Sequence, residues 1–513
     1  MMTITIGSRN LNLNDFESII FKKEKITLDK QKLIECNKSH DFLLKFSKDK
    51  VIYGINTGFG PMAPYIIEAD KQIELQYNLI RSHSSGAGRW LDHHKVRAVM
   101  LSRLNSLMTG YSGVHISVLN LIKDLLNKEI YPLIPEHGGV GASGDLVQLS
   151  HLGLVLIGEG EVNFRGKAMS TKKVFRLTKL EPIKIILREG LAIINGTSAM
   201  TGIGTVNLIY AKRLVNWSIV ASSMLQDIFQ VYDDSFSAEL NGVKSHPGQI
   251  AVAKKMRTIL NGSKRIRKRH DYLYDKKINE KVLNEKVQEF YSVRCVPQII
   301  GPILQTVENC EKVVLDEANS SSDNPVIDWK KRNVFHGGNF HGDYVSLEMD
   351  KLKIAVTKLS MLSERQLAFI LNDNLTKILP PFVNLGTLGL NLGMQGVQFT
   401  ATSTVAENQT FSFPMYVHSI PTNKDNQDIV SMGTNAANIA NQVIDNSYYV
   451  LAIEFMGLLQ AIDYLKIDRE MSKSLFNNYA EMRKIVPKFK KDAVRYKEIK
   501  NLKMFLAKND SKN

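Results

Sequence analysis

The chain has 513 residues, of which 44% are hydrophobic, and a formal net charge of +15 at pH 7. These values are ordinary for a globular protein with a large core and argue against a disordered or fibrous chain. Met1 to Gly7 lacks a basic region followed by a long apolar one, and no run of about 18 uninterrupted apolar residues is present. Neither a secretory signal nor a membrane partner is therefore expected. The cysteines, Cys36, Cys295 and Cys310, have neither a disulfide framework nor metal-ligand spacing, which fits a reducing cytoplasm.

The positive charge is concentrated in one short stretch and in the C-terminal tail. Residues 264–270 read Lys-Arg-Ile-Arg-Lys-Arg-His, and lysines are frequent after Arg483. A basic patch is typical of nucleic-acid-binding proteins. However, no zinc-finger spacing, RNA-recognition signature or basic strand with interleaved aromatics accompanies it. A solvated loop and a lysine-rich terminus are therefore the preferred interpretation, and no nucleic-acid partner is expected.

The first part of the chain alternates loops with helical segments. Residues 51–61 read Val-Ile-Tyr-Gly-Ile-Asn-Thr-Gly-Phe-Gly-Pro, which predicts a loop with several turn positions. A simple surface turn would not need Tyr53 and Phe59 between its glycines. Residues 66–83 are predicted to be helical, and residues 95–130 to form one or two helices broken at Gly110 and Gly113. Residues 161–187 are predicted to form short strands and turns, as the one β-rich part of the chain.

The most unusual stretch is 138–151, Gly-Gly-Val-Gly-Ala-Ser-Gly-Asp-Leu-Val-Gln-Leu-Ser-His. A helix is predicted to begin after Asp145, whose carboxylate suits the positive end of a helix dipole. Because Gly144 has no side chain, its amide nitrogen can approach the carbonyl of Ala142. Ring closure with loss of water, and loss of the Ser143 hydroxyl, would give 4-methylidene-imidazol-5-one (MIO), an electrophile that no ordinary side chain supplies. Taken alone, Ala-Ser-Gly is equally a glycine turn before a helix.

From about residue 198 onward the chain is predicted to be mostly helical. Residues 199–231, 344–372 and 428–465 are long apolar segments with few prolines. In the middle segment, the apolar positions 352, 356, 359 and 362 mark one helix face, and Ile354 and Met361 add a second, so burial on more than one side is expected. The fold class predicted is mainly α, with a central bundle of long helices and a smaller mixed N-terminal domain that carries the Ala-Ser-Gly loop. The expected domains are 1–195, 196–470 and, as a basic C-terminal helix and tail, 471–513.

Polar residues interrupt the apolar segments at several places. Asn195 follows an apolar run and precedes Gly-Thr, a pattern that is also typical of a helix N-cap. Arg294 stands in the segment 287–298, and a fixed Arg suits a carboxylate because its fork donates two parallel hydrogen bonds. An ion pair inside the fold is the alternative for an isolated Arg. His336 and His341 are five residues apart and have no obvious third ligand, so no metal is expected.

Together these motifs resemble those of the aromatic amino acid ammonia-lyases, the family of histidine, phenylalanine and tyrosine ammonia-lyases. The resemblance runs from about residue 50 to about residue 465, and the segment from Gly139 to His151 is similar to the family's cofactor segment. It implies that Ala142, Ser143 and Gly144 form MIO autocatalytically, without a metal or an external cofactor.

The resemblance also implies roles for matching residues. Tyr53 matches the family's catalytic base, which lies on a mobile loop over the active site. Asn195 matches the residue that forms a hydrogen bond near the MIO carbonyl, and Tyr291 matches a residue near MIO and the substrate amino group. Arg294 matches the residue that binds the amino acid carboxylate. The remaining implied substrate-binding residues are His83, which faces the substrate ring in the family, Gln288, Phe340, Asn423 and Gln427.

Two of these positions bear on the substrate. Histidine ammonia-lyases usually have Glu where this chain has Gln427, and a neutral amide cannot act as a base or counter-charge for imidazole. His83 offers a hydrogen bond to a para-hydroxyl, where phenylalanine-specific relatives usually have an apolar residue, and the His83-Ser84 pair looks more like the bacterial tyrosine enzymes. We therefore expect conversion of L-tyrosine to trans-4-coumarate and ammonia, with weaker phenylalanine activity. Conversion of histidine to urocanate and an aminomutase outcome remain open, because His83 also occurs in histidine enzymes.

The assembly expected from the resemblance is a homotetramer, since the family is tetrameric with active sites built from several subunits. A hypothesis from another class is a basic nucleic-acid-binding scaffold that has lost catalysis. Such a protein would have damaged motifs, whereas Tyr53, Asn195, Arg294 and the Ala-Ser-Gly triplet are intact. An enzyme is therefore the preferred interpretation.

Overall fold

The computed structural model of the protein describes residues 3–274, 281–283 and 286–511, and most of them are helical. The helices are α1 Leu13–Ile20, α2 Lys30–Phe46, α3 Gln72–His83, α4 His93–Leu107, α5 Ile116–Asn127, α6 Leu146–Leu156, α7 Thr171–Thr178, α8 Glu189–Ile194, α9 Ser198–Ile228, α10 Ala238–Gly242, α11 Pro247–Leu260, α12 Tyr291–Arg294, α13 Val296–Ala318, α14 Asp343–Leu371, α15 Asp373–Thr376, α16 Gln395–Phe411, α17 Gly433–Leu465, α18 Lys473–Arg483 and α19 Tyr496–Lys508. The predicted mainly α fold class is confirmed.

Short strands form four small sheets within the described residues. They are β1 Ile4–Ile6, β2 Ile26–Leu28, β3 Ala87–Trp90, β4 Ile130–Pro132, β5 Pro135–His137, β6 Glu161–Phe164, β7 Lys167–Ser170, β8 Val326–Asp328 and β9 Asn333–Phe335. Strands β1 and β2 pair in parallel, whereas β3–β5, β4–β6–β7 and β8–β9 are antiparallel. The strands predicted in 161–187 are confirmed as β6 and β7, but they are not the only ones. Thr171–Thr178 is helical instead, because Val174 and Phe175 form a buried apolar stripe on α7.

The predicted helical segments are present with shifted ends. The three long apolar segments are α9, α14 and α17, and 95–130 contains α4 and α5. The break between α4 and α5 includes Gly110 and Gly113, with φ of +86° and +62°, a conformation that favours glycine. The helix predicted from residue 66 begins only at Gln72, because Thr57 pairs with Ile66 and extends the preceding loop.

The described chain divides into two compact units, each built from three segments. Unit 1 comprises Met1–Ile209, Cys310–Asp350 and Pro414–Ala440, and unit 2 comprises Tyr210–Asn309, Lys351–Phe413 and Asn441–Asn513. All the strands named above belong to unit 1. The boundaries fall inside α9, α13, α14 and α17, so each of these helices contributes residues to both units. The continuous domains expected from the sequence remain a prediction about the architecture.

Unit 2 contains the bundle of long helices. Trp217 of α9 meets Phe455 of α17 edge to face, with ring centroids 5.8 Å apart. The amide of Asn408 on α16 donates hydrogen bonds of 3.2 Å to Ser360 of α14 and to Ser447 of α17. Aromatic and buried polar contacts therefore join four helices within this unit.

Helix α14 is buried on more than one side, as predicted, but partly with other residues. The residues of its first predicted face are buried: Leu352, Val356, Leu359 and Leu362. Ile354, expected on a second buried face, is 48% exposed, and Met361 is only half-buried. The second buried side instead contains Lys353, Thr357 and Ser360, and the hydroxyls of the last two form hydrogen bonds to carbonyls of their own helix. Because these local bonds satisfy the hydroxyls, polar residues can be buried at positions where periodicity favours apolar ones.

The basic stretch 264–270 is largely used inside unit 2. Three of its arginines, Arg265, Arg267 and Arg269, form side-chain contacts with residues near the end of α9 or with the turn that follows α17. Their side-chain partners are, in the same order, Glu470, Gln230 and Asp234. Arg265 is buried and also donates to the carbonyls at the C-terminal end of α9. These cations therefore stabilise local structure.

Helix α17 is the longest helix described, with 33 residues. By length and composition alone it is, among the described helices, the one that could cross a membrane. Within this protein, 78% of its most apolar 18-residue window is buried. Packing inside the chain accounts for most of its apolar side chains.

Candidate active site

The Ala-Ser-Gly triplet lies in a tight bend directly before α6. Gly141 and Gly144 have φ of +74° and +73°, which L side chains rarely adopt. A Cβ on Gly144 would lie 2.1 Å from the carbonyl oxygen of Gly196, and a Cβ on Gly141 would lie 2.1 Å from Ser431 Oγ. Conformation and space therefore both require glycine on either side of Ala142 and Ser143.

Two distant segments hold the triplet from its N-terminal side. The carbonyl oxygen of Gly141 accepts hydrogen bonds of 3.1 Å from Gly342 N and from Ser431 Oγ. Ala142 is buried and packs in an apolar cluster with Met432. The segment before α14 and the segment before α17 thus meet at the triplet, and they contain the predicted residues Phe340 and Gln427.

Both polar atoms of Ser143 have a side-chain partner in unit 1. Asn195 Nδ2 donates to the Ser143 carbonyl oxygen at 3.0 Å, and Gln427 Nε2 donates to Ser143 Oγ at 2.9 Å. Asn195 Oδ1 accepts from Asn324 N at 3.0 Å, which fixes the amide with its nitrogen toward Ser143. An amide at this position withdraws electron density from the carbonyl that would become the MIO ring carbonyl.

Asp145 has a different role from the one expected. Its side chain does not cap α6, whose first turn it precedes. Instead, Oδ2 accepts 2.8 Å hydrogen bonds from Ala199 N and Met200 N, in the first turn of α9, and Oδ1 accepts from Thr434. Burial raises the pKa of this carboxyl to about 6. Asp145 therefore anchors the triplet to a second helix, and its place next to the triplet was the only sequence signal for this.

A buried ion pair that sequence reasoning missed supports Asn195. Arg188 donates two hydrogen bonds of 3.0 Å to the carboxylate of Asp323, and both side chains are fully buried. Arg188 also donates to the carbonyl of Asn324 at 3.1 Å. The pair thus holds the residue whose N–H orients Asn195. The two charges are 135 residues apart in sequence, and neither lies in a recognisable motif.

The Tyr53 loop folds back on itself and contacts the segment that carries Gln427. Tyr53 is half-buried, and its phenol oxygen accepts a hydrogen bond of 3.0 Å from Gly60 N. The loop is closed by the bond from Gly58 N to the carbonyl of Tyr65, 2.9 Å. A Cβ on Gly60 would lie 2.5 Å from Asn423 Nδ2. Glycine at position 60 therefore permits close contact between the loop and Asn423.

His83 lies at the C-terminal end of α3. A Cβ on Gly86 would lie 3.1 Å from Val147, in the first turn of α6, so this end of α3 adjoins the part of α6 that follows the triplet. Nδ1 of His83 lies 2.9 Å from the carbonyl oxygen of Leu79. An N–H on Nδ1 makes Nε2 an acceptor in the neutral ring. Among the described residues Nε2 has no hydrogen-bond partner, which leaves it available to a ligand.

Asn423 and Gln427 lie in a tight, mostly exposed hairpin. Thr422 N donates to Gln427 O at 3.1 Å, and Gln427 N donates to Thr422 O at 3.3 Å. Asn423, Lys424 and Asp425 have φ of +57°, +52° and +58°. Three consecutive non-glycine residues with positive φ store strain, which is typical of functional sites. This conformation brings the Gln427 side chain back to Ser143.

Phe340 lies in the turn between β9 and α14 and is half-buried. The neighbouring His341 Nε2 lies 3.2 Å from the carbonyl of Ile429, close to the Gln427 hairpin. His336, before the same turn, has its pKa lowered by burial. Across the described ranges, no group of three or more His, Cys, Asp or Glu side chains is arranged to hold a metal ion.

Three predicted residues belong to unit 2, where two of them line a cavity of about 310 Å³. Arg294 Nη1 donates to Gln288 Oε1, and the guanidinium lies 4.9 Å from the ring centroid of Tyr291. Tyr291 is 71% exposed. Arg269 and Cys295 also line the cavity. Within the described part of the chain Arg294 has no carboxylate partner, so the ion pair considered from the sequence is not formed.

The residues around the triplet fit an MIO group. Gly144 can be only glycine, the Ser143 carbonyl has a fixed amide donor, and Gln427 contacts the hydroxyl that MIO formation would remove. Tyr53, His83 and Phe340 lie on segments that contact this part of unit 1. The site therefore combines a potential electrophile with a phenol and neutral polar groups.

Comparisons with known proteins agree along almost the whole chain. A family model described as "Aromatic amino acid lyase" matches residues 11–484. Histidine ammonia-lyase from Shouchella clausii is 37% identical over 504 residues, covering 98% of each chain. Tyrosine 2,3-aminomutase from Chondromyces crocatus is 36% identical over 508 residues, covering 98% of this chain and 96% of that protein. The solved structure of tyrosine aminomutase from Streptomyces globisporus is similar with a TM-score of 0.95 at 33% identity, covering 99% of this chain and 97% of its own.

Proposed function

The chain belongs to the aromatic amino acid lyase family, which is MIO-dependent, and we propose that it releases ammonia from L-tyrosine to give trans-4-coumarate. Weaker activity on phenylalanine is expected. The MIO would form autocatalytically from Ala142, Ser143 and Gly144, without a metal, and would supply the electrophile that converts the substrate amine into a leaving group. The proposed location is the cytoplasm.

The observation that carries the choice of substrate is the contact between Gln427 and Ser143. The amide nitrogen of Gln427 lies 2.9 Å from the oxygen on the carbon that would become electrophilic. A substrate that reacts at this carbon must therefore lie beside a neutral amide. Such a group cannot offer the negative charge that favours an imidazole ring, which argues against histidine.

His83 supports tyrosine over phenylalanine. Its Nδ1 is directed to the carbonyl of Leu79, which makes Nε2 a hydrogen-bond acceptor. A para-hydroxyl can donate to it, whereas a phenyl ring would leave a polar atom unpaired. Sites built to bind a hydroxyl can reject the analogue that lacks it by a factor of about 10⁴ or more.

The other predicted residues have distinct tasks. Arg294 binds the substrate carboxylate, for which its guanidinium has no competing carboxylate within the described residues. Tyr53 accepts the proton from the β-carbon, and Asn195 holds the Ser143 carbonyl. Gln288 orients Arg294, while Tyr291, Phe340 and Asn423 complete the walls.

A homotetramer with active sites shared between subunits is part of the proposal. Exposed apolar side chains along two helices support it, since single solvent-facing helices rarely carry so many. On α14 and α16 these are Tyr344, Leu347, Ile354 and Phe399.

Two alternatives have specific support among the relatives. A histidine ammonia-lyase is 37% identical to this chain, so urocanate formation is the first. A tyrosine 2,3-aminomutase is 36% identical, so return of ammonia to the β-carbon is the second. The first would need histidine to bind beside Gln427. The second would use the same residues as the proposed lyase and differ in how long ammonia and the unsaturated acid are retained.

The test is to incubate the purified protein separately with L-tyrosine, L-phenylalanine and L-histidine and to follow product absorbance. Chromatography of the tyrosine reaction would identify any β-tyrosine. Coumarate formed fastest, with a ratio of tyrosine to phenylalanine activity that falls at least about tenfold in His83→Phe, is the expected result. Urocanate formed fastest, or β-tyrosine as the main product, would favour the corresponding alternative. No product, together with a mass that shows no water loss at the triplet, would contradict the proposal.

A further inference from the structure

Gln76 is a fully buried side chain of α3 that has been given no function so far. Its Nε2 donates to the carbonyl of Gly54 at 2.8 Å, and its Oε1 accepts from Leu191 N at 2.9 Å. One end of the amide can only donate and the other can only accept, so these two partners fix its orientation.

The two partners belong to the segments that carry the proposed base and the proposed carbonyl donor. Gly54 directly follows Tyr53, and Leu191 lies in α8, which ends immediately before Asn195. The approach is close, since a Cβ on Gly54 would lie 2.4 Å from Leu191 Cδ2 and Gly54 has φ of +72°. A single side chain therefore fixes the start of the Tyr53 loop relative to the helix that positions Asn195.

The other hydrogen bonds near the start of this loop are local. Gly54 N donates to Thr57 Oγ1 at 3.1 Å, and Gly60 N donates to the Tyr53 hydroxyl at 3.0 Å. Such bonds determine the shape of the loop but not its position relative to α8. Because Gly54 is buried, its carbonyl would lose its side-chain donor if Gln76 were removed, and an unpaired buried carbonyl favours displacement of the loop.

We infer that Gln76 is a positioning residue, which holds the Tyr53 phenol at a fixed distance from Asn195 and the triplet. This inference rests on the proposed function, in which Tyr53 accepts a proton. The same helix carries His83 seven residues later, two turns along and on the same face. Helix α3 thus positions the base at one end and reads the substrate ring at the other. Proton transfer is sensitive to displacements of about 1 Å, so loss of Gln76 affects kcat more than substrate binding.

The experiment uses two variants of the full-length protein and one control. Gln76→Met removes both hydrogen bonds at similar size. Gln76→Glu keeps an acceptor for Leu191 N but, as a carboxylate, cannot donate to Gly54. The control is Gln460→Met in unit 2, because Gln460 is equally buried and also connects a backbone carbonyl and a backbone N–H, both of Phe489. For each protein, kcat and KM for L-tyrosine, the mass of the triplet and chymotryptic cleavage at Tyr53, Phe59 and Tyr65 are measured.

The expected result is a fall in kcat of about 10- to 100-fold for Gln76→Met, with KM changed less than about threefold and water loss at the triplet complete. Cleavage in the loop becomes faster. For Gln76→Glu, the ratio of its kcat to that of the wild type rises as pH falls, because a protonated carboxyl regains a donor for Gly54. Gln460→Met keeps the wild-type kcat. A purely structural role would produce no such pH-dependent recovery.

The inference is overturned if Gln76→Met keeps kcat within about twofold, or if the Gln76→Glu ratio is flat between acid and alkaline pH. Should Gln76→Met fail to fold, the pH dependence of Gln76→Glu decides the question. Failure of the proposed function would look different, since the wild type itself would form no product. Loop cleavage would still report on the contact in that case, and equal cleavage of wild type and Gln76→Glu would refute the positioning role.

Discussion

Gln427 Nε2 donates a hydrogen bond to Ser143 Oγ at 2.9 Å, although the two residues are 284 positions apart in the sequence. The contact places the position that differs from histidine ammonia-lyases directly beside the residue proposed to become the electrophile. It depends on the strained hairpin at residues 422–427, whose paired backbone turns the Gln427 side chain toward the triplet. Substrate choice and cofactor formation therefore meet at one pair of residues.

Exchange of this amide for a carboxylate should change the substrate preference. In Gln427→Glu, we expect the ratio of kcat/KM for L-histidine to that for L-tyrosine to rise at least about tenfold, because the carboxylate supplies a counter-charge for imidazole. Parallel assays of urocanate and coumarate would measure it. Asn426→Asp adds the same charge in the same hairpin without contacting Ser143, and it should leave the ratio unchanged. An equal shift in both variants would mean that only the general charge of the hairpin matters.

The triplet should tolerate no side chain at its last position. In Gly144→Ala, the new Cβ would lie 2.1 Å from the carbonyl oxygen of Gly196, so the bend needed for cyclisation cannot form. We expect a protein without water loss at the triplet and with activity below about 1% of wild type, as expected when the electrophile is missing. Intact mass and product absorbance are the measurements.

Gly166→Ala is the matched control, since Gly166 also has a positive φ, +79°, but an added methyl group there would meet no atoms within 4 Å. It should cost about 1 kcal/mol of stability and retain activity. Full activity in Gly144→Ala would show that cyclisation is not needed.

Arg294 should act through its planar fork and not only through its charge. We expect Arg294→Lys to lower kcat/KM about 10- to 100-fold, mainly through KM, because a lysine cannot form two parallel hydrogen bonds to a carboxylate. Arg269→Lys changes the other arginine of the same cavity and should leave KM nearly constant, since Arg269 pairs with Asp234 and stacks on Tyr232. Steady-state kinetics with L-tyrosine would compare them. If KM rose equally in both, the cavity as a whole and not Arg294 would be responsible.

A buried carboxyl in unit 2 should make stability depend on pH. Burial raises the pKa of Glu454 from 4.5 to about 8, and Ser363 donates a hydrogen bond to it. Because the folded protein holds this proton more tightly than the unfolded chain, the stabilising contribution is present below pH 4.5 and is lost as pH rises through about 8. Glu454→Gln stays neutral, so it should gain on the order of a few kcal/mol relative to wild type between about pH 6 and pH 9.

Denaturant unfolding at both pH values would measure this effect. The exposed Glu308 on α13 provides the control, since Glu308→Gln should show the wild-type pH dependence. Parallel pH profiles for wild type and Glu454→Gln would mean that the carboxyl is not buried as a neutral group.

The sequence by itself determined the local features. Apolar periodicity identified α9, α14 and α17, and the glycines around Ala142 and Ser143 indicated a bend that only glycine allows. Such features depend on neighbouring residues and can be read along the chain. Even here a boundary was wrong where a longer-range pairing intervened, as at Thr57 and Ile66, and an apolar residue such as Ile354 was exposed.

Only the tertiary structure decided which distant residues meet. Asp145 caps α9 and not the helix that it precedes, and the Arg188–Asp323 pair orients Asn195 through Asn324. Gln76 connects the Tyr53 loop to α8 with both ends of its amide. Each of these contacts joins polar groups that burial has removed from water, and such groups must find partners wherever the packed helices bring them. Composition and spacing cannot reveal these partners, because the fold selects them.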